Sequence, residues 1–258
     1  MSVSLSNSVL MRFTLISLLT TIVGGCAIHR EPPLACADRS VVAHDPAERV
    51  NRSIFAFNRT LDDYVVAPVA RGYRHLPGFV QSGVHNFVAN FGEPKVFIND
   101  LLQGNGRRAV DTVGRFALNT TVGIVGLIDV SGRLGVERHH ADFGQTFGVW
   151  NIGNGPIVEL PLLGTSNLRD ATGRLLGFAV DPVGSNSDNV DTLKTVDTVG
   201  DVVDGRAQRL PLTDRLRTGP DYYAGLRDLM AQRRAVLVEQ GKLGAAGNEG
   251  VCQAPEWR

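Results

Sequence analysis

The chain has no apolar run long enough to span a bilayer. Its longest, Phe13 to Val23, covers eleven residues, whereas a transmembrane helix needs about 20. Cysteine is scarce, with only Cys26, Cys36 and Cys252 among 258 residues, which excludes a disulfide-built scaffold. A bond between Cys36 and Cys252 and two free thiols both remain open. Charge of one sign is missing too, since 26 Lys+Arg balance 26 Asp+Glu. That balance excludes nucleic-acid partners or anionic surfaces gripped by net charge. No G-x-S-x-G elbow, Walker loop, G-x-G-x-x-G or H-E-x-x-H occurs, so neither an activated nucleophile nor a nucleotide cradle is expected. His139-His140 is the one histidine pair, and adjacent side chains seldom face a single ion. The expectation is no enzyme, no cofactor, no metal and no nucleic acid.

What is present begins at the N-terminus. Arg12 precedes the short apolar run, and Val23-Gly24-Gly25-Cys26 follows it. A basic residue, a short apolar region and small residues before a cut describe a secretory signal. An aliphatic and two small residues before a cysteine also fit a bacterial lipobox, which places the cut before Cys26 and lipid on its sulfur. Translation from Met11 gives a tidier signal than from Met1. Ala27 rather than Asp follows the cysteine, which favours the outer membrane over the inner. The expected organisation is a signal over 1–25, a flexible tether over 26–44, a helical domain over 45–243 and a disordered tail over 244–258.

The ordered part opens on Asp45-Pro46-Ala47-Glu48, which reads as a capping box with Asp45 at the N-cap. Val50, Ile54, Phe57 and Leu61 then recur at helical spacing as an apolar stripe. Further helices are expected over 63–74 with a kink at Pro68, 77–91, 93–103, 105–121, 166–178, 187–207 and 219–240. Val110, Val113 and Phe116 form the stripe of the 105–121 helix. The last helix and its flanks, with Arg217, Arg227, Arg233, Arg234 and Lys242, are the most basic region and read as a solvated face.

Two segments break the helical habit. Residues 123–136 are apolar and glycine-rich; they read either as a buried strand or as a loop or short helix dipping into lipid. Residues 143–164 hold five glycines and two prolines. They read as a turn or hinge around Asn151 to Pro156, with a short strand or hairpin near 157–160.

These features acquire a common meaning from a longer pattern. D-P-A-E-R-V-N-R-x-I-F-x-F-N (45–58), V-A-P-V-A-x-G-Y (66–73), N-F-x-x-N-F-x-E-P (86–94), N-D-L-L-Q-G (99–104), D-F-G-Q-T-F-G (142–148) and G-P-x-x-E-L-P-L-L-G (155–164) stand in this order. The chain thereby resembles the MlaA/VacJ family of outer-membrane lipoproteins. The resemblance implies a mainly α fold, a ring-like arrangement of amphipathic helices with glycine-rich apolar loops and a central amphipathic pore. It implies a protein lying in the inner leaflet of the outer membrane. There it would remove mislocalised phospholipid from the outer leaflet and pass it to a soluble, MlaC-like periplasmic carrier. A trimeric porin is the implied companion. Pore or gate roles would fall to Phe55, Phe57, Asn58 and Arg59, and hinge roles to Asn151, Gly153 and Gly155. Lipid contact would fall to Ile124, Val125, Leu127 and Ile128. The family more often carries an apolar residue at Arg59 and a glycine at Asn151.

Overall fold

The computed structural model describes residues 43–180 and 188–245. The expected signal, Cys26, the tether up to residue 42, Cys36, Cys252 and the tail from 246 lie outside the described residues. Among the described residues the chain is mainly helical, and none of its helices is long and apolar enough to cross a membrane.

Helix α1 runs from Glu48 to Leu61 and passes into a π-helical turn, Asp62–Val66, before α2, Ala67–Tyr73. The kink expected at Pro68 is absorbed by this wider turn, in which the Ala67 amide reaches back to the Asp62 carbonyl. Arg206 clamps Asp62 with two hydrogen bonds, at 2.6 and 2.7 Å. The expected capping box is not formed. Ala47 occupies the N-cap position without a side-chain bond. Asp45 instead accepts from Asn51 Nδ2 at 2.7 Å and from the Tyr223 hydroxyl at 2.6 Å, so a distant partner outcompetes the local amide.

Helix α3, Gly78–Leu102, is one helix where two were expected. Pro94 removes one backbone bond, but Asn90, Glu93, Asn99 and Asp100 are all buried, and packing against α4 carries the helix across the gap. Helix α4, Gly106–Thr121, is capped by Asn105, whose side chain accepts from the Arg108 amide. A run of turns leads to α5, Val130–Arg133, and then to α6, Phe143–Val149. Strands β1, Ile157–Leu160, and β2, Gly164–Asn167, make an antiparallel hairpin with Ile157 opposite Asn167. Three helices complete the fold: α7 (Leu168–Ala179), α8 (Asp188–Arg217) and α9 (Tyr222–Ala245). Helix α8 continues ten residues past its expected end, through Pro211.

The apolar core is small. Ala67 and Ala70 of α2 meet Ala207 and Leu210 of α8, with Tyr73 alongside. Elsewhere the interior is polar: among the described residues, the buried polar or charged residues outnumber the buried apolar ones by twenty-two to eleven. Soluble proteins usually show the opposite preference.

Candidate functional site

Helix α4 shows the inversion most simply. Ala109, Thr112, Arg115 and Asn119, three or four residues apart, make the buried stripe. Val110, Val113 and Phe116, the apolar stripe that the spacing marks, point outward at 72%, 48% and 38% exposure. The same holds on α1, where Asn51 is buried while Val50 and Phe57 are exposed. Helix α8 continues the apolar exterior through Leu193, Val196, Val199 and Val202. Contiguous apolar surface of this kind marks interaction or membrane sites in general.

Inside, many of the polar groups are paired. Arg115 is 1% exposed. It donates from Nε to Glu93 at 3.3 Å, from Nη2 to Asp129 at 3.0 Å and from Nη1 to the Val136 carbonyl. Asn119 joins by donating to Asp129 and accepting from the Ser131 amide, both at 3.0 Å. Burial opposes ionisation of Asp129, but the Gly132 amide, Asn119 and Arg115 outweigh it and hold its pKa below the ordinary carboxylate range. A second chain of bonds joins α3, α4 and α6. Thr112 donates to Asp100 at 2.7 Å, Thr146 to Asn99 at 2.8 Å and Gln103 to Thr146 at 3.0 Å. Pairing of this kind makes a polar interior tolerable.

The two histidines part company. His139 Nε2 lies 2.9 Å from Asp100, whereas His140 faces a cavity. No group of three or more metal-ligating side chains occurs among the described residues. That cavity, about 200 Å³, lies among α6, α7, α9 and the hairpin. Arg174, Arg227, Arg233 and Arg234 line it together with Asp142 and Asp170. The basic region of the last helix is therefore not simply a solvated face, because three of its arginines turn inward. Arg234 donates to Asp142 at 2.7 Å and lies 2.7 Å from Asp170. No short motif marked this cluster in the sequence. Its only trace was the arginine density of α9.

The expected site residues fall into separate groups. Phe55 packs edge-on against Tyr222 and Tyr223, with centroids at 5.3 and 5.2 Å, while Phe57 faces outward. Asn58 donates to Glu159 and to the Leu160 carbonyl, both at 2.9 Å, and accepts from the Leu162 amide. It thus ties α1 to the hairpin. Burial pushes the Glu159 carboxyl up. Arg59 reaches Asp63 at 3.4 Å from an exposed position.

In the 151–156 loop, Asn151 and Gly155 take left-handed backbone, with φ of 63° and 66°. A Cβ at Gly155 would also lie 3.1 Å from Leu168 Cβ. Gly153 stands in open space. The loop is fastened at Arg169, whose amide donates to the Asn154 carbonyl and whose Nη1 donates to the Ile152 carbonyl.

The 122–128 segment is turns, not a buried strand. Ile124, Val125 and Leu127 are exposed, and Ile128 is half-buried. Ile124 and Val125 have φ of 54° and 55°, a region that costs β-branched residues about 1–2 kcal/mol each. Gly126 (φ 87°) sits so close to α3 that an added Cβ would lie 2.6 Å from Asn90 Cβ. The backbone is thus strained in order to present two aliphatic side chains outward.

Comparison with known proteins assigns this architecture. A family model described as MlaA lipoprotein matches residues 43–237. The chain belongs to the MlaA lipoprotein family. An MlaA of Escherichia coli K12, an intermembrane phospholipid transport system lipoprotein, is 34% identical over 90% of this chain and 91% of its own length. One from Haemophilus influenzae is 30% identical over 78% and 81%. A solved structure described as the structural basis for maintenance of bacterial outer membrane lipid asymmetry has a TM-score of 0.65 and 33% identity. It covers 75% of this chain and 98% of that one. The MlaA lipoproteins are not an enzyme family. Membership and the mainly helical fold agree with the sequence pattern.

Proposed function

We propose that this lipoprotein removes mislocalised phospholipid from the outer leaflet of the outer membrane and passes it to a soluble periplasmic carrier for return to the inner membrane. One observation carries the reading: the helices turn apolar stripes outward and polar stripes inward, within a family whose characterised members are named for phospholipid transport. An amphiphile crossing a protein needs a polar track for its headgroup and an apolar surround for its tails. Paired polar interiors and an apolar exterior meet those requirements, and no nucleophile or nucleotide is required.

In this account the helices form a ring with an amphipathic pore and lie in the inner leaflet. The signal over 1–25 is removed, lipid on Cys26 fixes the domain to the membrane, and 26–44 serves as a tether. Several lipid chains anchor permanently where one holds marginally. Ile124, Val125 and Leu127 dip among acyl tails, which supplies the energy that offsets their strained backbone. Phe55 and Asn58 set the inner end of α1 against the hairpin as a gate, with Phe57 and Arg59 at its rim. Asn151, Gly153 and Gly155 form the hinge. A trimeric porin is the expected companion in the membrane.

The test is lipid mass spectrometry on the full-length protein extracted in mild detergent, with outer-leaflet phospholipid measured in a deletion strain. Intact diacyl phospholipid on the protein and a raised outer-leaflet content on deletion are expected. Protein free of lipid together with an unchanged leaflet would contradict transport and favour a scaffold that binds porins without passing lipid.

A further inference from the structure

Between Asp63 and Glu93 the chain has no acidic residue, although acids and bases balance over its whole length. Arg71, Arg74, His75 and His85 are the basic side chains of this stretch. Arg71 reaches Asp214 at 3.4 Å, and His85 lies 2.9 Å from Asp204. Arg74 and His75 sit exposed in the turn that joins α2 to α3. Neither has an ion-pair partner among the described residues. The same turn holds two apolar side chains outward, Phe79 at 79% exposure and Leu76 at 43%. Exposed Tyr64, Val65 and Val69 extend this surface back through the π-helical turn and α2.

The turn is fastened from within. Gln81 Nε2 donates to the Leu76 carbonyl at 2.7 Å and to the Arg74 carbonyl at 3.2 Å. Two carbonyls that would otherwise call for water are thereby satisfied, so the neighbouring side chains can enter hydrocarbon without stranding them. What lies beside Phe79 decides what covers it. One helical turn further along α3, a Cβ at Gly83 would stand 3.8 Å from Leu127 Cδ2, and Asn86 donates to the Leu127 carbonyl at 3.1 Å. Residues four apart share a helix face and are separated by a rise of about 6 Å. Phe79 therefore borders the 122–128 segment, whose exposed aliphatics were assigned above to acyl tails. Residues 121–128 carry no charge, whereas the α2–α3 turn sets Arg74 and His75 next to its apolar pair. Apolar side chains bordered by unpaired cations match the boundary between tails and anionic headgroups, and a guanidinium fork suits phosphate oxygens.

We propose that the α2–α3 turn docks on anionic phospholipid at the bilayer surface, with Arg74 on the phosphate, His75 beside it, and Leu76 and Phe79 among the tails next to Leu127. The inference rests on the reading that the domain lies in a membrane, and it adds a second contact and a headgroup class. Arg71, answered by Asp214, stays on the water side of the turn.

The experiment places a nitroxide at Phe79→Cys in the full-length protein carrying Cys36→Ser and Cys252→Ser, in nanodiscs of phosphatidylcholine with or without phosphatidylglycerol. Access of oxygen is compared with access of a water-soluble nickel chelate, and the same labels are placed singly at positions 71 and 125. With phosphatidylglycerol present, the label at 79 is expected to be reached by oxygen and shielded from the chelate, as at 125, while 71 shows the reverse. Omitting phosphatidylglycerol, or changing Arg74→Gln in its presence, is expected to lower the ratio of docked to undocked label at 79 about five-fold, the contribution of one arginine near an anionic surface. Equal shielding in both bilayers would overturn the headgroup class. Chelate access at 79 equal to that at 71, with 125 still in hydrocarbon, would overturn the docking turn and leave immersion of the domain standing. Chelate access at 79 and 125 alike would overturn the immersion itself. Dipolar broadening between labels at 79 would show a second copy seated on the turn and overturn lipid as its occupant.

Discussion

Two contacts within this molecule obey opposite rules. Where α2 crosses α8, Ala67, Ala70, Ala207 and Leu210 are buried against one another, as in a protein folded in water. Where α3 meets α4 and α5, the buried residues are Glu93, Arg115, Asn119 and Ser131, and the aliphatic side chains of α4 face out. The first contact is held by exclusion of apolar surface from water. The second gains little from that effect and depends on complete pairing of charges. The difference teaches that the two contacts are held by different forces, as the proposed lipid surroundings of α4 require.

The contrast breaks most severely at Arg115. Arg115→Ala leaves Glu93, 2% exposed, with only Arg138 at 3.5 Å. A loss of about 3–5 kcal/mol is expected from denaturant unfolding in detergent. Arg115→Met, which retains much of the volume, should cost nearly as much. Full stability in the methionine variant would mean that volume, not charge, holds this contact. The apolar contact should respond in the reverse manner. Leu210→Ala should cost about 3 kcal/mol through the cavity it opens, and Leu210→Met less than about 1.5 kcal/mol, in the same unfolding assay.

Acid sharpens the comparison, because Ala67, Ala70, Ala207 and Leu210 carry nothing that titrates. His140 is held neutral down to about pH 4 in the fold, whereas an unfolded histidine takes its proton near pH 6.5. Between these values the unfolded chain binds more protons. The contribution is therefore complete above about pH 6.5 and is lost as pH falls toward about 4. Asp129, held below its ordinary range, adds loss of the same sign, beginning below the unfolded carboxylate value. Melting temperature followed against pH should fall across the histidine window, and His140→Gln should flatten that part of the curve. An unchanged slope would remove His140 from the account.

The smallest effect is the most telling about surroundings. Ile124→Gly and Val125→Gly relieve left-handed strain, so each should stabilise the protein in detergent by about 1 kcal/mol. The same changes should weaken attachment of the domain to vesicles, and Val125→Asp should weaken it further. A glycine variant that gains stability and loses no attachment would separate the strain from lipid contact.

These contrasts also mark what could be read in the residues. Helical periods stood out because they depend on spacing, and the hairpin near 157–160 was legible from its flanking Gly and Pro. The direction of each stripe was not. Val110, Val113 and Phe116 define a face equally well whether the apolar phase is a core or a membrane. Asp45 was expected to cap a helix because the competing partners, Asn51 and Tyr223, are known only once α9 returns to α1. A break between 91 and 93 was expected because the buried Asn90 and Glu93 that hold the helix together find their partners on α4. Among the site residues, Asn58 ties α1 to the hairpin, and Asn151 and Gly155 take left-handed backbone. Gly153 occupies open space, and the arginine cavity had only the charge density of α9 to announce it.

The central claim is that the outward stripes face acyl chains. Single spin labels at positions 110, 113, 116 and 125, in full-length protein with Cys36 and Cys252 changed to serine, would be reconstituted in bilayers. Their access to oxygen, which concentrates in the hydrocarbon, would be compared with access to a water-soluble nickel chelate. All four labels should be reached by oxygen and shielded from the chelate, while a label at exposed Arg71 shows the reverse. Chelate access at positions 110 to 116 equal to that at 71 would contradict the account.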